Sequence, residues 1–278
     1  MDFTLPALPL AKYIDAILGV LTSNFAFITR GLSAITLTGL EYFVAFLMFF
    51  PPIVLIILIS IGTYLLTSKG VGLFSFFGLF LIWNIGLWGA TMNTLALVLT
   101  ATLIAVGIGL PLGIFAALNE KFNRFIMPIL DFMQTMPAFV YLIPAIPFFG
   151  LGAVSAVFAT VIFGMPPAIR LTSLGIRQVP GELIEASDAF GTTWQQKLMK
   201  VQLPMAIPTI MAGINQTIML SLSMVVIAAM IGAGGLGGEV LRAIQRFQPG
   251  KGFEAGLGVV ILAIILDRIT QNIGNKYK

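Results

Sequence analysis

The sequence contains no cysteine and no histidine among its 278 residues. Without cysteine the chain has no disulfide and no thiolate chemistry, and without both residues it has no zinc site of the Cys/His type and no haem held by histidine. Nucleophile pairs such as Ser-His and Cys-His are excluded as well. Carboxylate, lysine and tyrosine chemistry would remain, but these absences argue against an enzyme, and no metal or cofactor site is predicted in this chain.

Charged residues are also scarce. They make up 9% of the chain, whereas soluble domains carry about 25%. Hydrophobic residues make up 58%, and the mean hydropathy is +1.03. A water-soluble fold of this length would have too little polar surface to cover its core, so the composition predicts an all-α polytopic membrane protein. The net charge of +4 does not indicate nucleic acid, because the basic residues lie at the ends of apolar segments.

Apolar segments of about 17–25 residues predict the membrane spans. Segment 24–50 is interrupted by Arg30, Gly31 and Glu41, so it is either an interfacial helix, the interpretation favoured here, or an extra span. The former gives seven spans: 51–67, 71–88, 91–118, 126–149, 152–170, 204–232 and 254–274. The expected organisation is a tail and interfacial helix over 1–50, two accessory spans over 51–90 and a five-span core over 91–278, and no cleavable signal peptide is expected at the start.

Lysine and arginine indicate the orientation of these spans. With the C-terminus inside, the cytoplasmic side would hold most of the basic residues: Lys69, Lys121, Arg124, Arg170, Arg177, Lys197, Lys200, Arg268, Lys276 and Lys278. The outer side would hold Lys12, Arg30, Arg242, Arg246 and Lys251. This bias predicts a multi-pass protein of the bacterial plasma membrane with a cytoplasmic C-terminus, although the last three outer residues need another explanation.

The predicted cytoplasmic loop 171–203 carries a spaced motif. Glu185, Ala186 and Ser187 are followed after three residues by Gly191, and after nine more by a segment that ends in Leu203 and Pro204. This pattern resembles the EAA loop of permease subunits of bacterial ABC importers, in which E-A-A, G and I-x-L-P have the same separations. Ser187 and Val201 are mild departures from it.

In that family the EAA loop forms a coupling helix that sits in a groove of a cytoplasmic ATPase. The resemblance implies that small Ala186 and Ser187 allow close approach to the ATPase, that Gly191 permits the turn and that Glu185 meets a basic residue. The alternative is an ordinary capped helix between two spans. A helix this short is not stable alone in water, so in either case it must dock on something.

Two further stretches, 134–144 and 230–237, resemble permeases for glycine betaine and related osmoprotectants; methionine importer permeases share the glycines of the second. The prolines of the first remove backbone donors, and the freed carbonyls must face protein or water. That helix therefore either lines the pathway or is a kinked packing helix with aromatic core residues. The candidate pathway residues are Met136, Pro137, Phe139, Tyr141, Asn215, Ser221 and Ser223. Phe139 and Tyr141 could offer π faces to a quaternary ammonium group, and Asn215 could instead bond a neighbouring helix.

On the predicted outer side, Gly232, Gly234 and Gly237 match G-x-G-x-x-G, but they follow a membrane segment rather than a strand, so no dinucleotide site is expected. An outer loop or gate around Gly234 and Gly235 is expected instead. Arg242 and Arg246 are four residues apart, and they either meet acidic groups on an extracellular binding protein or lie on a solvated loop.

The resemblance as a whole implies the type I ABC importer permease fold, with two permease copies, two ATPase subunits and an extracytoplasmic substrate-binding protein. ATP and Mg²⁺ would be bound by the ATPase, because the chain has no G-x-x-x-x-G-K-[ST] loop. The implied substrate is glycine betaine or a related quaternary-ammonium osmoprotectant. The alternatives are an importer permease for an amino acid such as methionine and an ATP-independent channel or transporter.

Overall fold

The computed structural model describes residues 9–275, so the first eight residues and Lys276 and Lys278 lie outside it. Within that range the regular elements are helices, as the composition predicts. In chain order they are α1 Leu10–Phe49, α2 Pro52–Leu66, α3 Lys69–Asn84, α4 Trp88–Leu118, α5 Glu120–Thr135, α6 Leu142–Phe149, α7 Ala153–Arg177, α8 Gly181–Ala189, α9 Trp194–Lys197, α10 Leu203–Ala228, α11 Gly235–Gln245 and α12 Pro249–Asn275.

Helix α1 is longer than the interfacial segment predicted at 24–50. It is one helix of 40 residues, about 60 Å long. Its buried residues, Leu40 and Leu47, both lie in the C-terminal third, which packs on α4 and α6. Helix α1 is long and apolar enough to cross a membrane, so it could form the extra span that is the alternative for segment 24–50. The choice between the two placements stays a prediction.

The predicted span 126–149 is not one straight helix. Helix α5 ends at Thr135, and the segment Ala138–Phe149, a 3₁₀ turn followed by α6, leaves it at 110°. Pro137 stands at the break, and Met136 before it is extended, with ψ at 135°. The cause is the proline, which has no N–H and disfavours helical conformation in the residue that precedes it.

By length and apolarity, four helical stretches among the described residues can cross a membrane: α1, α4, α7 and Trp194–Ile231, with a fifth if the bent pair counts as one span. The accessory helices α2 and α3 pack against each other and are apolar, but at 15 and 16 residues they are shorter than a typical span. All seven predicted segments are helical for most of their length.

The core is a layer in which α7 lies between α4 and α10. Small residues bring the helices together. A Cβ at Gly113 of α4 would lie 2.7 Å from the carbonyl oxygen of Ile169, and one at Gly213 of α10 would lie 3.1 Å from that of Pro167. The G-x-x-x-G pair of α4, Gly109 and Gly113, therefore serves close helix packing. Helix α12 covers α10 and α11, and α3 packs on α12.

Candidate functional site

The EAA-like motif forms the short helix α8 and a fixed turn. Gly191 adopts φ of +72°, the left-handed region that glycine enters most readily. Its N–H donates to the carbonyl of Asp188 at 2.9 Å, and the N–H of Thr192 donates to that of Ser187 at 3.2 Å. These two bonds are the Schellman arrangement that ends helices. The turn after α8 is therefore set by Gly191, as its place in the motif predicts.

One face of α8 is exposed. Glu185 and Ala186 lie on the surface, Leu183 is 41% exposed and Phe190 is 88% exposed. Ser187 differs from the expectation that it would face a partner. It is buried, and its Oγ donates to the carbonyl of Ile184 at 2.7 Å. The serine thus faces its own chain, whereas the apolar and acidic side chains of α8 are left open.

The loop is fixed to the membrane helices at its other end. Lys197 Nζ donates to both carboxylate oxygens of Asp188, at 2.8 and 2.9 Å, and so joins α9 to α8. Leu198 is buried with Ile176 of α7 and Ala206 of α10. The connection after α8 is therefore short and packs directly against α7 and α10.

The end of the motif has an unusual backbone. Residues Leu198–Gln202 form a π-helical turn that runs directly into α10. Leu203 is half-buried against the cluster of Leu198, and Pro204 is exposed at the start of the helix. Proline is tolerated in the first turn of a helix, where its missing N–H has no partner in any case. The motif residues Leu203 and Pro204 therefore mark where the loop joins α10.

The aromatic residues near the break at Pro137 take different positions. Tyr141 is 5% exposed, and its hydroxyl donates to the carbonyl of Met133. In a straight helix that carbonyl would bond the N–H of residue 137, which is a proline. Tyr141 thus replaces the missing donor, and its ring packs edge-on against Phe163 at 5.6 Å. Phe139 is 56% exposed and faces open space.

Replacing Tyr141 with phenylalanine is expected to destabilise the protein by about 1–3 kcal/mol, because the carbonyl of Met133 would lose its donor at a partly buried position. Thermal or denaturant unfolding of the purified protein in detergent measures this. Tyr42→Phe is the matched control, since Tyr42 is 75% exposed. Equal stabilities of the two variants would show that Tyr141 does not support the bend.

Helix α10 carries an exposed stripe that includes polar residues. Its members recur at helical spacing: Met205, Ala212, Gln216 and Ser223, with Met230 in the turn that follows the helix. A polar amide halfway along a membrane helix must face protein or water rather than lipid. The stripe therefore fits a pathway or a second chain. Gln216 was not singled out from the sequence, although the seven-residue recurrence of small and polar residues could have indicated it.

The three polar candidates on α10 are not equivalent. Ser223 lies on the exposed stripe. Ser221 is fully buried, accepts a hydrogen bond from Thr102 of α4 at 3.3 Å and donates to the carbonyl of Thr217 at 2.8 Å. Asn215 is partly buried and donates to Asp267 of α12 at 2.9 Å, while it also lines a cavity of about 610 Å³ between the two helices. Asn215 thus bonds a neighbouring helix, as one of the two alternatives expected, and its place in a pathway stays a prediction. Ser221 lies in a helix contact.

The glycines on the predicted outer side form a packed junction. Gly234 and Gly235 have φ of +76° and +66°, and a Cβ at Gly235 would lie 3.3 Å from the backbone nitrogen of Thr94. The N–H of Leu236 donates to Thr94 Oγ1 at 2.8 Å, at a buried position. The start of α11 is thus held against α4, and the residues expected to form an outer loop or gate form a tight turn.

The two arginines predicted to lie on the outer side share one surface. Arg242 and Arg246 line a polar cavity of about 240 Å³ together with Glu239, Lys251 and Glu254. Arg242 also pairs with Glu239 one helical turn away. The cluster holds more cationic than acidic side chains, so it can attract an acidic surface.

Comparisons with known proteins place this geometry in context. Residues 109–278 match the family model described as "Binding-protein-dependent transport system inner membrane component". The chain is 51% identical to the glycine betaine transport system permease protein OpuAB of Bacillus subtilis, covering 99% of this chain and 97% of the relative. It is 52% identical to the glycine betaine/carnitine transport permease protein GbuB of Listeria monocytogenes, covering 99% and 98%.

A further relative and a solved structure agree with these matches. The glycine betaine/proline betaine transport system permease protein ProW of Escherichia coli is 48% identical over 96% of this chain and 75% of its own length. A chain from an inward-facing structure of the MetNI methionine ABC transporter is 24% identical, with a TM-score of 0.62 over 67% of this chain and 93% of that chain. The latter likeness confirms the expected type I importer permease fold.

Proposed function

Because this chain belongs to the family of binding-protein-dependent transport system inner membrane components, we propose that it is the membrane-spanning subunit of an ATP-driven importer of glycine betaine or a related quaternary-ammonium osmoprotectant. The observation that carries the substrate is the identity of 51% and 52%, over nearly the whole chain, to two relatives named for glycine betaine transport. The observation that supports the mechanism is the open face of α8.

ATP is bound and hydrolysed by a separate subunit that docks on α8. The exposed apolar side chains Leu183 and Phe190 enter a groove of that subunit, small Ala186 permits the approach, and Glu185 pairs with a basic residue there. A helix of nine residues gains its stability from such packing. The fixed turn at Gly191 and the Lys197–Asp188 pair let α8 move as a rigid body.

The working assembly contains two copies of this chain and two ATPase subunits. The polar stripe of α10 supports this stoichiometry, because in one chain alone the exposed amide of Gln216 would face the membrane interior. A second copy that faces the stripe encloses a central pathway. The residues at the break line the same pathway: Pro137 and Phe139 are exposed, and Met136 is partly buried. The ring of Phe139 contacts the quaternary ammonium group.

An extracytoplasmic binding protein delivers the substrate at the other end. Acidic groups on that protein meet Arg242 and Arg246, which line one polar cavity. The C-terminus of this chain lies in the cytoplasm. ATP binding closes the ATPase dimer, α8 moves, and the helices around the pathway shift from inward-open to outward-open. Hydrolysis resets them. Each ligand biases this equilibrium only by its different affinity for the two states.

Competition for uptake tests the substrate. Cells that lack their own betaine and methionine uptake would express this chain with its ATPase and binding protein, and labelled glycine betaine would be supplied at high salt. Unlabelled glycine betaine is expected to suppress uptake, and unlabelled methionine is expected to have no effect. Suppression by methionine, or uptake of labelled methionine instead of betaine, would overturn the assigned substrate and leave the importer class intact.

A further inference from the structure

A cavity lies between α10 and α12. It measures about 610 Å³ and is open on one side, so it can admit a small molecule. Pro208, Met211 and Met219 form its apolar walls, and the amides of Asn215, Gln216 and Gln271 supply polar atoms. Ala212 and Gln216 also belong to the exposed stripe of α10, so the cavity opens onto that stripe.

A single carboxylate stands behind the amides. Asp267 Oδ1 accepts hydrogen bonds from Asn215 Nδ2 at 2.9 Å and from Gln271 Nε2 at 2.7 Å. Thr270 donates to Asn215 Oδ1 and fixes the orientation of that amide. The carboxylate is thus one hydrogen bond away from the cavity, and its position is held from two helices.

The charge of Asp267 is only weakly compensated. The neighbouring cation is Arg268, whose Nε lies 3.9 Å from Asp267 Oδ2. The arginine side chain is 56% exposed, whereas that of the aspartate is 18% exposed. An ion pair this long and this exposed contributes little. Asp267 lies in the last third of α12, and the weak pairing leaves its charge available to a cationic partner.

The walls define the chemistry of that partner. A quaternary ammonium group cannot donate a hydrogen bond, so it needs a negative charge at a short distance and apolar or polarisable surface for its methyl groups. Asp267 supplies the charge, and Met211, Met219 and Pro208 supply the surface. A small metal ion would instead need oxygen ligands at 2.0–2.6 Å. The amides that bond Asp267 point their N–H groups at the carboxylate, so they do not offer oxygen ligands there.

We propose that the α10–α12 cavity receives the trimethylammonium end of the substrate on its way to the cytoplasm, with Asp267 as the residue that attracts it. This inference rests on the proposed function and adds to it a defined site within the membrane subunit. The cavity lies nearer the ends of α10 and α12 that carry the coupling loop and the C-terminus, so it is a site on the exit side of the pathway.

The absence of cysteine makes a direct test simple, because any introduced thiol is unique within this chain. Ala212→Cys would place a thiol at the cavity mouth, and Ser223→Cys is the matched control, eleven residues further along the same stripe and about 16 Å away. The complex with ATPase, in nanodiscs without nucleotide, would be treated with a thiosulfonate reagent that carries trimethylammonium and with one that carries sulfonate.

At each thiol, the labelling rate of the cationic reagent is divided by that of the anionic one. This ratio is expected to be at least roughly tenfold higher at Ala212→Cys than at Ser223→Cys. Adding Asp267→Asn is expected to remove this preference, and Asp267→Glu to keep it. Tetramethylammonium and glycine betaine are both expected to slow labelling of the Ala212→Cys chain by the cationic reagent. That protection is measured with Asp267 intact, so it stays informative if the asparagine variant fails to assemble.

Equal rates for the two reagents at Ala212→Cys, or a preference that persists in Asp267→Asn, would overturn the site. Labelling unaffected by tetramethylammonium and by betaine would do the same. Uptake by the parent complex separates this failure from failure of the proposed function. If the parent imports betaine while the cavity shows no charge preference, the site alone is wrong; if the parent imports no betaine, the proposed substrate is wrong and the site falls with it.

Discussion

Replacing Gly191 with valine is expected to lower ATP-driven uptake at least tenfold while the chain still inserts in the membrane. The backbone at this position has φ of +72°, and a β-branched residue is strongly disfavoured there. No atom lies within 4 Å of a Cβ added at Gly191, so the effect comes from the backbone and not from a clash. A penalty of about 1–2 kcal/mol is large for a helix of nine residues, whose end would unravel and displace Phe190.

Three variants measured together identify the cause. Gly181→Ala is the matched control, because Gly181 belongs to the same helix, has open space around it and has no positive φ. It is expected to transport at the parent rate. Gly191→Asn is expected to retain part of the activity, since asparagine enters the left-handed region more readily than valine. Parent-level uptake by Gly191→Val, with the ATPase still bound, would show that the turn does not couple the two subunits.

Replacing Gly235 with valine is expected to disrupt the opposite end of the molecule. The side chain would meet the backbone of Thr94 and Ala90 at 3.3 and 3.4 Å, and φ of +66° adds backbone strain. Overpacking costs about 1–3 kcal/mol, and the strain adds about 1–2 kcal/mol. Helix α11 would separate from α4 and lose the bond from the N–H of Leu236 to Thr94. The outer arginines would then shift.

The expected result for Gly235→Val is a lower unfolding temperature and loss of the ATP hydrolysis that the binding protein stimulates. Basal hydrolysis by the assembled complex should persist, because α10, about 39 Å long, separates α8 from this junction. Gly238→Ala is the control, since its added Cβ would meet nothing within 4 Å. Normal stimulation by the binding protein in Gly235→Val would separate the α11 junction from recognition of that protein.

Local pattern in the sequence predicted the helices well, including the short helix and the turn within 171–203. Long apolar runs identify α4, α7 and α10, and the spacing of Glu185, Gly191 and Pro204 locates a helix, its turn and the start of the next helix. These features depend on residues close together in the chain. Hydropathy, however, averages over a window, so it joined 126–149 into one span across Pro137, where the structure bends by 110°.

The features that the sequence did not predict depend on contacts between distant segments. The hydrogen bond between Asn215 and Asp267 links residues that are 52 positions apart in the sequence. The one between Ser221 and Thr102 links residues that are 119 positions apart. Ser187 is buried because of the way α8 packs against the rest of the chain. The small size of this residue does not by itself indicate which way it faces. Tyr141 could have been assigned from the sequence, because Pro137 leaves the carbonyl of Met133 without a donor.

The most direct test of the importer assignment is uptake of labelled glycine betaine into proteoliposomes that contain this chain, its ATPase and ATP in the lumen, with the binding protein outside. Saturable uptake is expected, and it should disappear when the ATPase is omitted or when ATP is replaced by a non-hydrolysable analogue. Uptake that continues at the same rate without the ATPase would contradict the assignment and would make this chain a channel or an ATP-independent transporter.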